Sequence, residues 1–429
     1  MRVAAIIAEY NPFHNGHAYH IRETRRITEC DYLIVVMSGD YTQRGIPAFM
    51  PKHERAKIAL MEGADLVLEL PLTYATGTAE RFAYGAVSLL NRLGCVDYLS
   101  FGCENDDLEM LQAIADLLID PPAQLAEQID SFLKDGLSYP RARAMAVKSV
   151  MQSGNILESP NNILAVEYLK ALKRQKSHIS PVIIKRKGAG YHDTQPDSLG
   201  MSSASGIRNL FVRITPSQMH EISDTFDATG CNSPLFSDAI KEPFDELCRQ
   251  VPDFAYQEMI NQYEKTWPVA IDDFSNLLHY SILANMNQEK MAIQDMSENL
   301  WNRVRNTQEQ FTGATQFIAS LNSKELTYSR VARALLHLML GTPDNFPADC
   351  PYARVLGFRK GSSDLLSCIK KQTSIPLVTK LADAHAVLTP AAMDMLDHEI
   401  KSTRIYQSVI IQKYGTHLPD EYRTVFPIV

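Results

Sequence analysis

The sequence predicts an α/β fold class: a parallel sheet covered by helices over residues 1–215, followed by a mainly helical domain over residues 216–429. Three observations predict it. Short apolar runs alternate with helical patterns along the first half, the runs lack strict polar–apolar alternation, and the succession stops after about Pro216. Strands interleaved with helices of that length imply crossover units and a parallel sheet. Strands that are apolar throughout are those covered on both faces.

Each element has its own signal. "VAAIIA" (Val3 to Ala8) is the first strand, with a helical pattern from His17 to about Cys30. "DYLIVVMSGD" is the second strand, and "HERAKIALMEG" a helix with Gly63 past its end. "ADLVLELP" is the third, closed by Pro71, and "TAERFAYGAVSLLNRLG" a helix stopped by Gly94. "VDYLSFGCE" is the fourth, and "HISPVIIKR" the fifth after the helix "PNNILAVEYLKALKR". "MSSASGIRNLFVRI" reads as a serine loop entering a helix. Past the boundary near residue 215 the patterns are helical, with "YARVLGFRKG" and "SIPLVTKL" as short extended candidates among them.

Bulk properties narrow the function. A chain of 429 residues is too long for one ordinary core, which favours two or three domains. The net charge of −8 does not suggest a nucleic-acid partner, so any such partner must be met by a local basic patch. No segment approaches a membrane span of ~18 apolar residues, and the N-terminal apolar run is too short for a signal peptide. Seven scattered cysteines without a C-x-x-C pair read as reduced thiols, and the expected location is cytoplasmic.

The first chemical motif is "HNGH" (His14 to His17), at the end of the first strand and the start of a helix. In an open parallel sheet the carboxyl ends of the strands form the ligand crevice. Free helix N–H groups point into that crevice, and Gly16 leaves the backbone bare. Two imidazoles there can donate to phosphoryl oxygens and stabilise charge during displacement at an α-phosphorus. A metal site or a pair of turn histidines is the plainer alternative. The second motif, "SASGIR" (Ser203 to Arg208), also opens a helix. Ser203 and Ser205 offer hydroxyls to outer phosphates, and Arg208 can hold a departing pyrophosphate. The alternative is a serine N-cap with a surface arginine.

Together these stretches resemble the signatures of the HxGH nucleotidyltransferase superfamily, with Ala204 and Ser205 as departures in the second. Longer pieces, "MSGDYTQRGIPA", "DLVLELP", "FGCEN", "SPNNILAVEYLKAL", "YHD", "SRVARALLHLMLG" and "RVLGFRKGSSDLL", resemble the bacterial tRNA(Met) cytidine acetate ligase family. The resemblance implies a Rossmann-like nucleotidyltransferase domain in the first half. It also implies an ATP-dependent ligase: acetate is activated as acetyl-adenylate, then transferred to N4 of the wobble cytidine of elongator tRNA(Met), giving N4-acetylcytidine.

By the same resemblance, ATP binding falls on Ile7, Ala8, Glu9, Tyr10, Asn11, Pro12, Phe13, His14, Asn15, Gly16, His17, Ala18, Tyr19 and His20, and on Gly102, Asn162 and Arg186. Ser203, Ser205 and Arg208 join them, with His14, His17 and Arg208 catalytic. Asn161 and Lys187 are neighbours that the sequence does not separate from these. Mg2+ is expected to arrive with ATP, carried by phosphates and water, since no dedicated carboxylate cluster is evident. Asp40, Gln43, Arg44, Lys52 and Arg55 could line the acetate or tRNA side of the crevice. For tRNA phosphates the candidates are Arg330, Arg333, Arg359, Lys370 and Lys371, with Arg354, Lys360 and Lys380 nearby. The alternative for that cluster is a solvated charged face. The alternative for the chain is a small-molecule nucleotidyltransferase that adenylylates a phosphorylated metabolite.

Overall fold

The computed structural model describes residues 1–151, 155–186, 203–212 and 238–429. Its centre is a seven-stranded sheet in the order β5-β4-β1-β2-β3-β6-β7. The strands are β1 Val3–Ala8, β2 Tyr32–Ser38, β3 Leu66–Leu70, β4 Tyr98–Cys103, β5 Ser180–Lys185, β6 Ala353–Phe358 and β7 Leu377–Val378. The five strands expected in the first half are all present and mutually parallel.

Both faces of the sheet are apolar, as unbroken runs require. Val3, Ala5, Ile34, Val36 and Leu99 belong to one buried cluster, whereas Ala4, Ile6, Leu33, Val35 and Met37 belong to another. The first face is covered by α3 (Ala79–Leu93) and α4 (Pro160–Arg174), the second by α1 (Asn15–Thr28) and α2 (Lys52–Met61). Gly94 ends α3 in the left-handed region at φ 75°, the conformation that makes glycine a helix stop.

The boundary expected near residue 215 lies outside the described residues, and the sheet does not respect it. Val67 pairs with Gly357 and Glu69 with Arg354, so β6 extends the sheet antiparallel to β3, and β7 pairs with β6. The two extended candidates of the second half therefore extend the first half's sheet, with β7 at its edge. The long helix after them, Pro390–Tyr414, docks on the same body: Tyr406 Oη donates to the carbonyl of Ala48, and Tyr41 Oη to that of Ser402. A separate helical cluster around Trp301, Phe317 and Leu335 sits beyond it.

The strand order places the crevice. From β1 the chain moves to β2 on one side and later to β4 on the other, so β1 and β4 flank a topological switch point, where ligands bind in open α/β sheets.

Candidate active site

A cavity of about 200 Å³ opens at the carboxyl ends of β1 and β4. It is lined by Ile7, Ala8, Glu9, Tyr10, Asn11, His14, His17 and His20 from the first motif, and by Gly102 and Arg186 from β4 and the end of β5. Ser203, Ser205 and Arg208 close it from α5 (Ala204–Val212). Residues that the sequence placed in two distant motifs thus share one wall.

The local sequence builds the imidazole pair. His14 is the N-cap of α1, with extended φ −148°, and its Nδ1 accepts from the Gly16 N–H at 3.1 Å. His17 reciprocates three residues on: its Nδ1 accepts from the His14 N–H at 3.2 Å. This is a capping box made of two histidines in place of the usual serine and glutamate. The rings stack with centroids 3.7 Å apart, and Tyr10 meets His17 edge-on at 4.8 Å. Gly16 is needed for this packing, since a Cβ there would lie 2.9 Å from Cε1 of His14.

Those bonds fix the chemistry of the rings. An Nδ1 that accepts a backbone N–H carries no proton, so a neutral ring carries its proton on Nε2. Both rings are neutral near pH 7. Burial pushes His14 down to about 3, with the Arg186 and Arg208 guanidiniums adding to the effect. Burial also holds His17 well below its ordinary value, reinforced by His14 and Arg186. Two neutral Nε2–H donors at a helix N-terminus suit the oxygens of a polyphosphate. His20, pushed down to about 4 by burial and Arg186, is held by Ser100 Oγ at 3.0 Å.

Arg208 joins the two motifs. Its Nη1 donates to the carbonyl of Asn11 at 2.5 Å and its Nη2 to Ser205 Oγ at 3.1 Å. Ser203 Oγ accepts from the Gly206 N–H at 3.1 Å, the N-cap that the sequence offered as the plainer reading, and it still faces the cavity. At Gly102 an added Cβ would meet the side chain of Arg186 at 3.5 Å and the carbonyl of Ile184 at 3.9 Å, ordinary contacts that leave the glycine without a steric necessity.

Several expected residues stand behind the wall. The side chains of Phe13 and Ala18 are buried in the core on the α1 face, and Pro12 is buried beside them at a cis bond to Asn11. Asn15 points away and donates to the carbonyl of Arg249. Tyr19, like these four and Gly16, has no place in the cavity lining. Asn162 is a positioning residue: its Oδ1 accepts from the N–H groups of Glu104 and Asn105, while its neighbour Asn161 lines the cavity. Lys187 and the "YHD" piece lie outside the described residues.

The polar loop after β2 divides in two. Gln43 and Arg44 line the cavity, but Asp40, Lys52 and Arg55 are buried. Arg55 donates to the carbonyls of Glu9, Ser38, Gly39 and Met50. Lys52 Nζ reaches Glu69 at 2.8 Å and Glu421 at 3.2 Å, and Arg354 closes the same network on both carboxylates. The expected phosphate contacts need the same correction. Arg333 is buried, and its Nε donates to Asp295 at 3.0 Å. Arg359 follows β6, beside the amino end of β3 on the rim opposite the cavity, and donates to the carbonyl of Leu60. Arg330, Lys360, Lys370, Lys371 and Lys380 are exposed.

The sequence missed an apolar end of the cavity: Ile46, Phe82, Phe101, Leu164 and Tyr168, with Phe101 and Tyr168 in ring contact at 5.4 Å. Residues of these types at strand and helix spacing read as core, and no sequence signal separates a core face from a ligand wall.

A neutral imidazole pair facing two guanidiniums at the switch point of a parallel sheet defines a nucleotidyltransferase class of site. The chain belongs to the family described as HIGH Nucleotidyl Transferase, whose model matches residues 1–419. It is 36% identical over 413 residues to the tRNA(Met) cytidine acetate ligase of Thermoanaerobacter sp., covering 95% of each chain. It is 37% identical over 418 residues to that of Acetivibrio thermocellus, covering 95% of this chain and 94% of the other. Within the class it is thus a member of the tRNA(Met) cytidine acetate ligase family. The crystal structure of apo Thermotoga maritima TmcAL superposes with a TM-score of 0.86 at 30% identity, covering 100% of this chain and 99% of that one. The same protein bound with alpha-thio ATP gives 0.84 at 28% identity, with all of both chains covered.

Proposed function

We propose that this chain is an ATP-dependent ligase that activates acetate as acetyl-adenylate and transfers the acetyl group to N4 of the wobble cytidine of elongator tRNA(Met). The observation that carries the reading is the paired Nε2–H donors of His14 and His17, set beside Arg186 and Arg208 in one cavity. A triphosphate laid along that wall has its α-phosphorus among neutral donors and its outer phosphates near Arg208. Acetate attacks the α-phosphorus, the bond to the bridging oxygen breaks, and pyrophosphate leaves with the electron pair. The protein supplies orientation and charge stabilisation, and no side-chain nucleophile is needed. The kinship with tRNA(Met) cytidine acetate ligases over 95% of the chain supports the acceptor.

Among the described residues no cluster of three His, Cys, Asp or Glu is arranged to hold a metal ion. The Mg2+ expected with ATP would be carried by the phosphates and water, a mode that suits this ion's reluctance to shed its hydration. Among the same residues no helix is long and apolar enough to cross a membrane. For tRNA phosphates, the exposed Arg330, Lys370 and Lys371 remain the proposal.

The test is incubation with labelled acetate, ATP and bulk tRNA, followed by nucleoside analysis. Label in N4-acetylcytidine, with pyrophosphate release that requires acetate, is the expected result. Pyrophosphate release that is independent of acetate and driven by a phosphorylated metabolite would overturn it.

A further inference from the structure

The cavity has two chemically distinct ends. The imidazoles and Arg208 lie where α1 and α5 begin, with Arg186 at the end of β5. Phe82, Phe101 and Tyr168 wall the other end, from α3, β4 and α4. Glu9 belongs to that second end. It follows β1 two residues after Ile7, which packs with the α3 and α4 cluster, and its charge acts on the buried phenol of Tyr168.

The carboxylate is held firmly yet not consumed. Its Oε1 accepts from the Gln43 N–H at 2.7 Å, and its own carbonyl accepts from Arg55 at 2.5 Å. Gln43 is fixed in turn, donating through Nε2 to the carbonyl of Gly77 at 3.2 Å. One oxygen thus anchors a group that lines the cavity, and Oε2 takes no part in that bond.

A fixed carboxylate repels both phosphate and acetate, so neither explains its presence in the wall. A group that donates does: a ribose hydroxyl or the adenine amine of ATP, or the exocyclic amine of the acceptor base. Carboxylates accept from the exocyclic amine of cytosine, and unstacked bases are held by aromatic rings. From this juxtaposition we infer that Glu9 is the catalytic acceptor for the N4 amine of the target cytosine, in a subsite walled by Phe82, Phe101 and Tyr168. The inference rests on the proposed function. The step balances as follows. The N4 lone pair attacks the acetyl carbonyl carbon and a C–N bond forms. The bond from that carbon to the phosphate oxygen breaks, AMP leaves with the electron pair, and one N4 proton passes to Glu9 Oε2.

The experiment partitions one intermediate between two nucleophiles. Enzyme, ATP and labelled acetate are given unmodified tRNA together with hydroxylamine, which captures acetyl-adenylate without a base. The readout is the ratio of N4-acetylcytidine to acetohydroxamate. Glu9→Gln keeps an acceptor for the Gln43 N–H and loses the base, so the ratio should fall about 10²-fold, the lower range for general-base catalysis. An unchanged ratio, with both products lowered together or with a raised KM for ATP, would overturn the assignment and place Glu9 in the nucleotide step. If Glu9→Gln does not accumulate as folded protein, the ratio is read on Glu9→Asp, which keeps the charge and retracts it by one methylene; a fall is again expected. Failure of the parent to make any N4-acetylcytidine would instead overturn the functional reading itself.

Discussion

Replacing His14 separates two roles that the structure gives to one ring. Its Nδ1 caps α1 through the Gly16 N–H at 3.1 Å, and its Nε2–H is free for a phosphoryl oxygen. His14→Asn keeps a good capping acceptor and removes the outward donor. His14→Ala removes both. Loss of the cap costs about 1 kcal/mol of stability. Loss of a preorganised donor to developing charge costs on the order of 10²–10³ in rate, about 2.7–4 kcal/mol. Acetate-dependent exchange of pyrophosphate into ATP measures the second quantity, and denaturant unfolding measures the first. Both variants should lose exchange by a similar factor, while only His14→Ala should lose about 1 kcal/mol of stability relative to the parent. Exchange by His14→Asn within about threefold of the parent, far inside the 10²-fold expectation, would show that His14 is a cap and not a phosphate donor.

Arg208→Ala should weaken ATP use far more than AMP binding, measured by exchange kinetics and by calorimetry with AMP, because its proposed partners are the outer phosphates. Arg208→Lys should rescue little, since one ammonium cannot hold both the Asn11 carbonyl and Ser205 at the spacing of the two guanidinium nitrogens. The depressed histidines make folding acid-sensitive: His14 (about 3), His20 (about 4), His337 (about 4) and His398 (about 4) bind protons more readily when unfolded. Their contribution is present above 6.5 and is lost as pH falls through the window from 6.5 to about 3, which urea melts across that range would record. Glu399 has the opposite sign. Burial beside Glu69 pushes it up to about 8, so its contribution is full below its ordinary 4.5 and lost as pH rises through about 8. Glu399→Gln should therefore gain stability relative to the parent as pH climbs through that window. Lys52→Met should destabilise by about 3–5 kcal/mol in denaturant melts, because it strands buried carboxylates. Reversing charge at Lys370 and Lys371 should lower tRNA affinity and flatten its dependence on salt, with adenylate formation retained.

The five parallel strands and the two motifs that line the cavity were legible because each depends on residue type in local order. An unbroken apolar run can only be a doubly covered strand or a buried helix, and Gly94 or Pro71 decides its length. A histidine pair around Asn-Gly at a strand end is one such local pattern, and a serine-rich helix start with an arginine one turn in is the other. What was not legible depends on partners far along the chain. Arg55 and Lys52 read as crevice residues and Arg333 as a phosphate contact because charged residues are almost never fully buried unless paired. Their pairs are backbone carbonyls across the β2 loop, Glu421 and Asp295. Similarly, "ARVLGF" is too short to announce which sheet it joins, and its register with β3 is a tertiary fact.

That tertiary fact changes what the second half of the chain is for. Three buried cations, Lys52, Arg55 and Arg354, face three buried carboxylates, Asp40, Glu69 and Glu421, around the carboxyl ends of β2 and β3. Arg354 comes from β6 and Glu421 from the segment after the last long helix, so the second half adds one cation and one carboxylate to a network whose other four members come from the first half. Arg55 passes the consequence on to the cavity, since it holds the carbonyl of Glu9 while the β2 loop holds its carboxylate. The loop and helix that hold the strand end are in turn held from the second half, by Thr403 and Glu421 at Lys52 and by Tyr406 at the carbonyl of Ala48. Read this way, the helical half is a structural part of the activating site as well as a surface on which tRNA could be held.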